Sequence, residues 1–327
     1  MKRLIAVLLA VALVFAFAAC GKTDAGNTDK PAEQPAQLSF VTGGESGTYF
    51  GFGSVLAQHA TSSGIKVSAV TSGGSQANVN MLQDGDAELA FCQSDVMTYA
   101  YNGTNLFEEQ GKVDCFSTVA ALYTEQVQIV TCNPDIKSVA DLKGKSVSVG
   151  DAGSGTYFNA MDILGIYGLT EADIKPVNQA FGDSTDAIKN GTIDAAFIVA
   201  GAPTTAVTDL STTKQVYLVS LDEEHINALI EKSPYYTPCT ITKDTYKTPE
   251  DVKTVGVGAV ILAKDDVSEE TIYNFVKDIF DNAASLTDNH AKYKEINLDY
   301  GASITSVPYH AGAAKYFAEK GFTVATK

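Results

Sequence analysis

Arginine is all but missing from this chain. Among 327 residues the only one is Arg3, and there is no tryptophan. A bidentate guanidinium clamp on a carboxylate or phosphate is therefore excluded everywhere after residue 3. Cations are scarce in general: 23 Lys and Arg face 39 Asp and Glu, a formal net charge of −16. Lys2 and Arg3 both lie in the leader, so the remainder is more acidic still. A nucleic-acid partner needs clustered Lys and Arg, and this balance argues against one. Histidine is limited to His59, His225, His290 and His310, and no two His, Cys or acidic groups show metal-ligand spacing, so no metal or cofactor is expected. Against these absences stand 45% hydrophobic, 9% aromatic and 19% charged residues. That content can bury a core, and the length suits about two domains at roughly 100–200 residues each.

One long apolar run exists. Met1-Lys2-Arg3 precedes Leu4 to Ala19, followed by Cys20 and Gly21. A basic start, an apolar stretch and small residues before a cut describe a secretory signal, and 16 residues fall short of the roughly 20 a spanning helix needs. Ala18-Ala19-Cys20 resembles the bacterial lipobox, with Phe17 where that motif usually has an aliphatic residue. Residues 1–19 are thus expected to be a signal peptide and Cys20 the lipidated mature N-terminus; an ordinary signal cleaved elsewhere is the alternative. Residues 20–37, polar and free of aliphatics larger than Ala, read as a lipid-anchored flexible linker. The location expected is extracytoplasmic, at the cell surface or in the periplasm, tethered to the membrane.

The rest carries a duplication. LSFVTGGESGTYF (38–50) and SVSVGDAGSGTYF (146–158) are nearly the same words, Ser46 and Ser154 lying 108 residues apart. Further on, LQDGDAELAF (82–91) answers IKNGTIDAAF (188–197), with Gly85 and Gly191 at an offset of 106. Each Gly reads as a left-handed helix C-cap. Between these words, TSGGSQ (71–76) and FGDSTD (181–186) each follow a strand-like run and open a short helix. Each half then reads strand, Gly/Ser loop, helix, strand, Gly/Ser loop, helix, strand, the order of right-handed βαβ units. Thr118–Tyr123 and Val127–Cys132 are adjacent strand-like runs, a first crossing between lobes, and Val255–Ala263 is a return. Ser268–Asp281 and His310–Lys320 are the closing helices. The fold class expected is α/β: two parallel-sheet lobes joined by a strand hinge. The first lobe takes 38–125, the second 126–240, and 241–327 returns to the first.

Ligands of such sheets bind at the carboxyl ends of the strands, where all four Gly/Ser loops fall. Helix N-termini present unpaired N–H groups and partial positive charge, Gly permits close approach, and Ser/Thr hydroxyls add donors. An anion can be held this way without any cationic side chain. The candidate ligand is a small carboxylate and the candidate contacts are Ser46, Gly47, Thr48, Ser72, Gly73, Ser75, Ser154, Gly155 and Thr156. Tyr49 and Tyr157 follow the Thr in both copies, as ligand walls or as helix-to-sheet packing. Gln93, Ser94 and Asp95 stand at another strand end, where Asp95 would suit an amino group or cap the next helix.

Enzyme patterns are incomplete. Gly144-Lys145-Ser146 has Val139 where a phosphate-binding loop needs its first Gly; Gly153-Ser154-Gly155 has Phe158 where a dinucleotide fingerprint needs its last. Gly44-Glu45-Ser46-Gly47 ends in Thr48 instead of the Gly of a nucleophile elbow. No catalytic residue is assigned. Cys92 and Cys132, in apolar strands, read as small hydrophobes; a disulfide among Cys92, Cys115, Cys132 and Cys239 is permitted outside the cell.

Taken together, TGGESGTYF (42–50), TSGGSQAN (71–78), CQSD (92–95), SVADLKGKSVSVGDAGSGT (138–156), NGTIDAAFIVAGAP (190–203) and VPYHAGAAKYFAEKGF (307–322) resemble the TAXI family of solute-binding proteins from TRAP transporters. The last word departs from the family's Pro-Leu-His-Pro-Gly-Ala at Tyr309 and Ala311. The resemblance implies a two-lobed periplasmic-binding-protein fold of type II that closes on its ligand, acting as a monomer. It implies delivery of a glutamate-like amino acid or dicarboxylate to the permease subunits of a TRAP-type transporter. It also makes His310 a structural or docking residue. A ligand sensor on the same fold, coupled to a signalling partner, is the alternative.

Overall fold

The structure is a computed structural model that describes residues 37–327. The expected signal peptide, Cys20 and nearly all of the linker lie outside the described residues. No helix among the described residues is long and apolar enough to cross a membrane.

The duplicated pattern folds as its periodicity predicts. In the first half, β1 (Leu38–Val41), α1 (Thr48–Ser62), β2 (Val67–Val70), α2 (Ser75–Asp84), β3 (Leu89–Gln93) and α3 (Ser94–Asn102) follow in order. In α1, Phe52, Leu56 and Ala60 recur every four residues and are buried, the spacing that lays one helix stripe on a sheet. α2 stops where Gly85 adopts φ 80°, a left-handed cap that only Gly enters cheaply. β3 is buried along its whole length, as a strand covered on both faces must be. The chain then runs through β4 (Phe116–Thr131) into the second copy: β5 (Ser146–Ser148), α4 (Gly155–Ile166), β6 (Lys175–Val177), α5 (Phe181–Asn190) and β7 (Ala195–Ala200). After these come α6 (Thr205–Thr213), β8 (Tyr217–Leu218), α7 (Glu223–Lys232), β9 (Thr237–Ile241), β10 (Val252–Lys264), α8 (Glu269–Asn282), α9 (Leu298–Gly301) and α10 (Ala311–Glu319).

Within each copy the pairing is parallel, β1 with β2 and β3, and β5 with β6 and β7. The unforeseen feature is that the two copies share one mixed sheet, in the order β2-β1-β3-β10-β4-β7-β5-β6, with β8 on β4 and β9 on β10. Two separate crossing strands, expected at 118–123 and 127–132, are instead one strand of 16 residues. At about 3.3 Å per residue it spans about 50 Å, enough to serve both lobes. Its first part pairs antiparallel with β10 and its last part with β7, and the partner changes around Glu125 and Gln126. β10 does the reverse, pairing with β9 over 252–256 and with β3 over 259–263.

Helices cover both faces in both lobes. On the first lobe, α1, α8 and α10 bury Phe52, Phe275 and Phe317 against one face, and α2 and α3 bury Val79, Leu82 and Met97 against the other. On the second, α4 and α7 supply Ile163, Leu164 and Leu229, and α5 and α6 supply Ile188, Val207 and Leu210. His310 is structural: its side chain caps Gly312 N of α10 and its Nε2 lies 3.0 Å from the Val267 carbonyl. Cys92 is buried, whereas Cys132 is part-exposed at the end of β4; all four described cysteines are free thiols.

Candidate functional site

Four helices begin around one cavity of about 260 Å³ between the lobes. Its wall includes Gly47 and Thr48 at the start of α1, Gly74 and Ser75 at α2, Ser154 and Gly155 at α4, and Ala180 and Phe181 at α5. None of these four helices has a side-chain cap. By contrast α7, α8 and α10, which start elsewhere, are capped by Asp222, Ser268 and His310; α3 and α6 lack a side-chain cap as well, and at α6 Ala206 N donates to the Ser46 carbonyl. A helix leaves its first N–H groups without intrahelical partners. Four such ends, left open on one cavity, form a concentration of donors and partial positive charge.

Contacts across the cavity hold the ends in place. Thr48 Oγ1 donates to Gly201 O at 2.7 Å, and Ala77 N donates to Gly153 O at 3.0 Å. Asn78 Nδ2 donates to Thr42 O and to Phe91 O, each at 2.7 Å, fixing α2 against two strand ends. Gly73 is required by close approach: a Cβ there would lie 2.6 Å from Ala152 O.

Of the residues singled out in the sequence, Ser46, Gly47, Thr48, Tyr49, Gly73, Ser75, Gln93, Ser154, Gly155 and Thr156 line the cavity. Ser72, Ser94, Asp95 and Tyr157 do not. Ser72 Oγ accepts from Gly74 N and shapes its own turn. Ser94 Oγ accepts from Gly258 N on β10, and the Tyr157 hydroxyl donates to Glu171 on the outer surface. Asp95 needs correction most: it is wholly buried beneath the floor, with Oδ2 accepting from Asn159 Nδ2 at 2.9 Å, so it cannot meet a ligand amino group directly. Burial pushes its carboxyl up to about 6, although the Val96 N–H and Asn159 favour the ionised form.

That burial builds a polar chain between lobes. Asn159 Nδ2 also lies 2.8 Å from the Tyr236 hydroxyl, and Asn159 Oδ1 accepts from Gln93 Nε2 at 3.0 Å. The Asp95 acceptor orients Asn159, Asn159 orients Gln93, and Gln93 Oε1 is left a buried acceptor without a partner. Ser154 Oγ is also buried and unpartnered.

Glu125 is the residue that motif reading missed. It lines the cavity from β4, is 2% exposed, and accepts a 2.7 Å hydrogen bond from the Tyr49 hydroxyl. Burial holds its carboxyl well above the usual carboxylate range, against the opposing effect of that bond. The available signal was a lone acid in the gap between two apolar runs. Tyr49 itself stacks on Phe91 with centroids 4.7 Å apart, so it is both wall and packing. Phe181, Gly182 and Asp183, on the fourth loop, complete the lining, although the sequence pattern FGDSTD marks no contact there. Glu45, Asp151 and Asp183 add acids at the rim, and no Lys or His is among the described residues that line the cavity.

Comparison with known proteins gives a family and a fold. The profile of the NMT1-like family matches residues 40–321, most of the chain, and places it in that family. A protein of Bordetella bronchiseptica RB50 has a similar structure, with a TM-score of 0.52 at 15% identity over 89% of this chain and 83% of that one. The alkanesulfonate-binding protein SsuA from Xanthomonas axonopodis pv. citri, bound to MOPS, scores 0.48 at 16% identity over 88% and 85%. A Salmonella typhimurium periplasmic binding protein of high arginine specificity scores 0.46 at 12% identity over 81% and 99%. At these identities the likeness is one of fold, carried by the first of the three.

Proposed function

We propose that this chain, a member of the NMT1-like family, is an extracytoplasmic solute receptor. It binds a small carboxylate, a glutamate-like amino acid or a dicarboxylate, in the cavity between its lobes. It then delivers the solute to the membrane subunits of a TRAP-type permease, as a TAXI-type lipoprotein held to the membrane at Cys20. The observation that carries this reading is the set of four helix N-termini without side-chain caps around a cavity that no Lys or His lines. In a chain whose only arginine is Arg3, backbone N–H groups and hydroxyls are the means left to hold an anion. The lining holds hydroxyls and carboxylates but no His, Lys or Cys beside a hydroxyl, which favours a receptor over an enzyme.

The test is binding of small carboxylates by calorimetry, with Ser154→Ala combined with Thr156→Val. Each charge-assisted hydrogen bond contributes roughly 1.5–3 kcal/mol, so the double variant should bind at least about 100-fold more weakly. Undiminished affinity in the double variant would sink the loop assignment; silence of the unaltered protein toward every carboxylate would sink the anion site.

A further inference from the structure

We infer that the ligand carries an ammonium group beside its carboxylate and that Glu125 receives it, so that the receptor takes α-amino acids in preference to 2-oxo acids or dicarboxylates. The inference rests on the carboxylate reading above and names the class of solute within it.

Glu125 is the buried acidic side chain of the cavity; Glu45 and Asp183 are exposed and Asp151 is half-buried at the rim. Its position is built. It stands on β4 where the strand passes from one lobe to the other, and the Tyr49 hydroxyl of α1 holds Oε2 at 2.7 Å. No cation among the described residues neutralises it by contact. The near candidate, Lys292, is itself buried, with Nζ bound to Ala202 O at 2.9 Å and to Glu295 Oε1 at 2.5 Å. Gln93, oriented through Asn159 and Asp95, adds an unpartnered acceptor to the same lining. The open helix ends take a carboxylate, but they do not explain a buried acid among them. A dicarboxylate without an ammonium group would bring a second negative charge to a lining that holds acids and no cation. An α-amino acid presents one group of each sign on a single carbon, which matches donors and a carboxylate in one small cavity.

The groups that bear on Glu125 are the hydroxyls of Tyr49, Tyr123 and Tyr300, the Cys92 thiol, Asp95 and Lys292. Burial raises the Glu125 carboxyl and so disfavours its charged form in the empty cavity, against the Tyr49 hydrogen bond and the charge of Lys292. Where Glu125 is protonated before binding, an incoming ammonium takes that proton's place and the proton passes to solvent. Affinity for an amino acid therefore rises with pH, by up to about tenfold per pH unit, until Glu125 is ionised without ligand.

Calorimetry on the full chain decides this with three pairs: L-glutamate and 2-oxoglutarate, L-alanine and pyruvate, L-leucine and 2-oxoisocaproate. An amino acid should bind at least about 100-fold more tightly than its 2-oxo partner, the size of a lost charge-assisted contact, and release a proton measurable in buffers of different ionisation enthalpy. Glu125→Gln, which leaves Tyr49 an acceptor, should lose that preference. A 2-oxo acid binding as tightly as its amino acid, or Glu125→Gln binding amino acids like the unaltered chain, overturns the inference and leaves the carboxylate reading standing. Binding of no member of any pair overturns both. Should Glu125→Gln fail to fold, the pair preference and the pH slope of the unaltered chain decide alone.

Discussion

Asp95 shows how far a single residue's role depends on what surrounds it. A wholly buried carboxyl raised from 3.8 to about 6 favours folding most in its protonated form. Its contribution is fully present below the unfolded value and is lost as pH rises through about 6. The difference is on the order of 3 kcal/mol at one pKa unit per 1.36 kcal/mol. Asp95→Asn should thus show a flatter decline in melting temperature between pH 4 and pH 7 than the unaltered chain, by several degrees. Parallel profiles would mean the carboxyl ionises no differently in the folded protein. At Gly155, a Cβ would fall 1.6 Å from Gln93 Oε1. Gly155→Ala must therefore displace Gln93 from Asn159, and the expected result is weaker ligand binding with little loss of secondary structure by circular dichroism.

Among the elements, β4 and β10 carry the crossing, and Gly256 on β10 shows how tightly they meet. A Cβ there would lie 2.5 Å from Thr124 Cγ2 and 2.8 Å from Glu125 O. The backbone oxygen cannot swing aside, so overpacking outweighs the entropy gained on replacing Gly. Gly256→Ala should cost about 1–3 kcal/mol in denaturant unfolding. Gly165, exposed in α4 with nothing within 4 Å of its added Cβ, should respond oppositely, Gly165→Ala stabilising by about 0.4–1 kcal/mol. Equal signs for the two would contradict the packing described. The helices were the more legible elements. The buried stripe of Ile272, Phe275, Val276 and Ile279 and the Ser268 cap define α8 from local spacing alone. The continuity of β4 was not legible, because the polar Thr124-Glu125-Gln126 breaks its apolar run, and only pairing with both β10 and β7 keeps that stretch in a strand.

For the whole molecule, the bonds between lobes among the described residues, besides the two long strands, include Thr48 to Gly201, Ala206 to Ser46, Ala77 to Gly153, Lys292 to Ala202 and the Gln93–Asn159–Asp95 chain. On the proposed function, a bound ligand would add to these at the cavity where four open helix ends face each other. At about 100 times its dissociation constant it should add roughly 2.7 kcal/mol of stability, a melting shift of several degrees. Amide exchange should slow in residues 43–49 and 150–157 and stay unchanged in β3 and β7, which are already fully buried.

The order of strands and helices in each copy, their parallel pairing and the location of the Gly/Ser loops at strand ends were determined by the sequence alone. These follow from local periodicity, Gly caps and a repeated word, all short-range properties. The joining of both copies in one sheet, the removal of Asp95 from the cavity and the entry of Glu125 into it were decided only by tertiary structure. Each depends on residues far apart in the chain, Asp95 with Asn159 and Glu125 with Tyr49, whose contact no local pattern encodes.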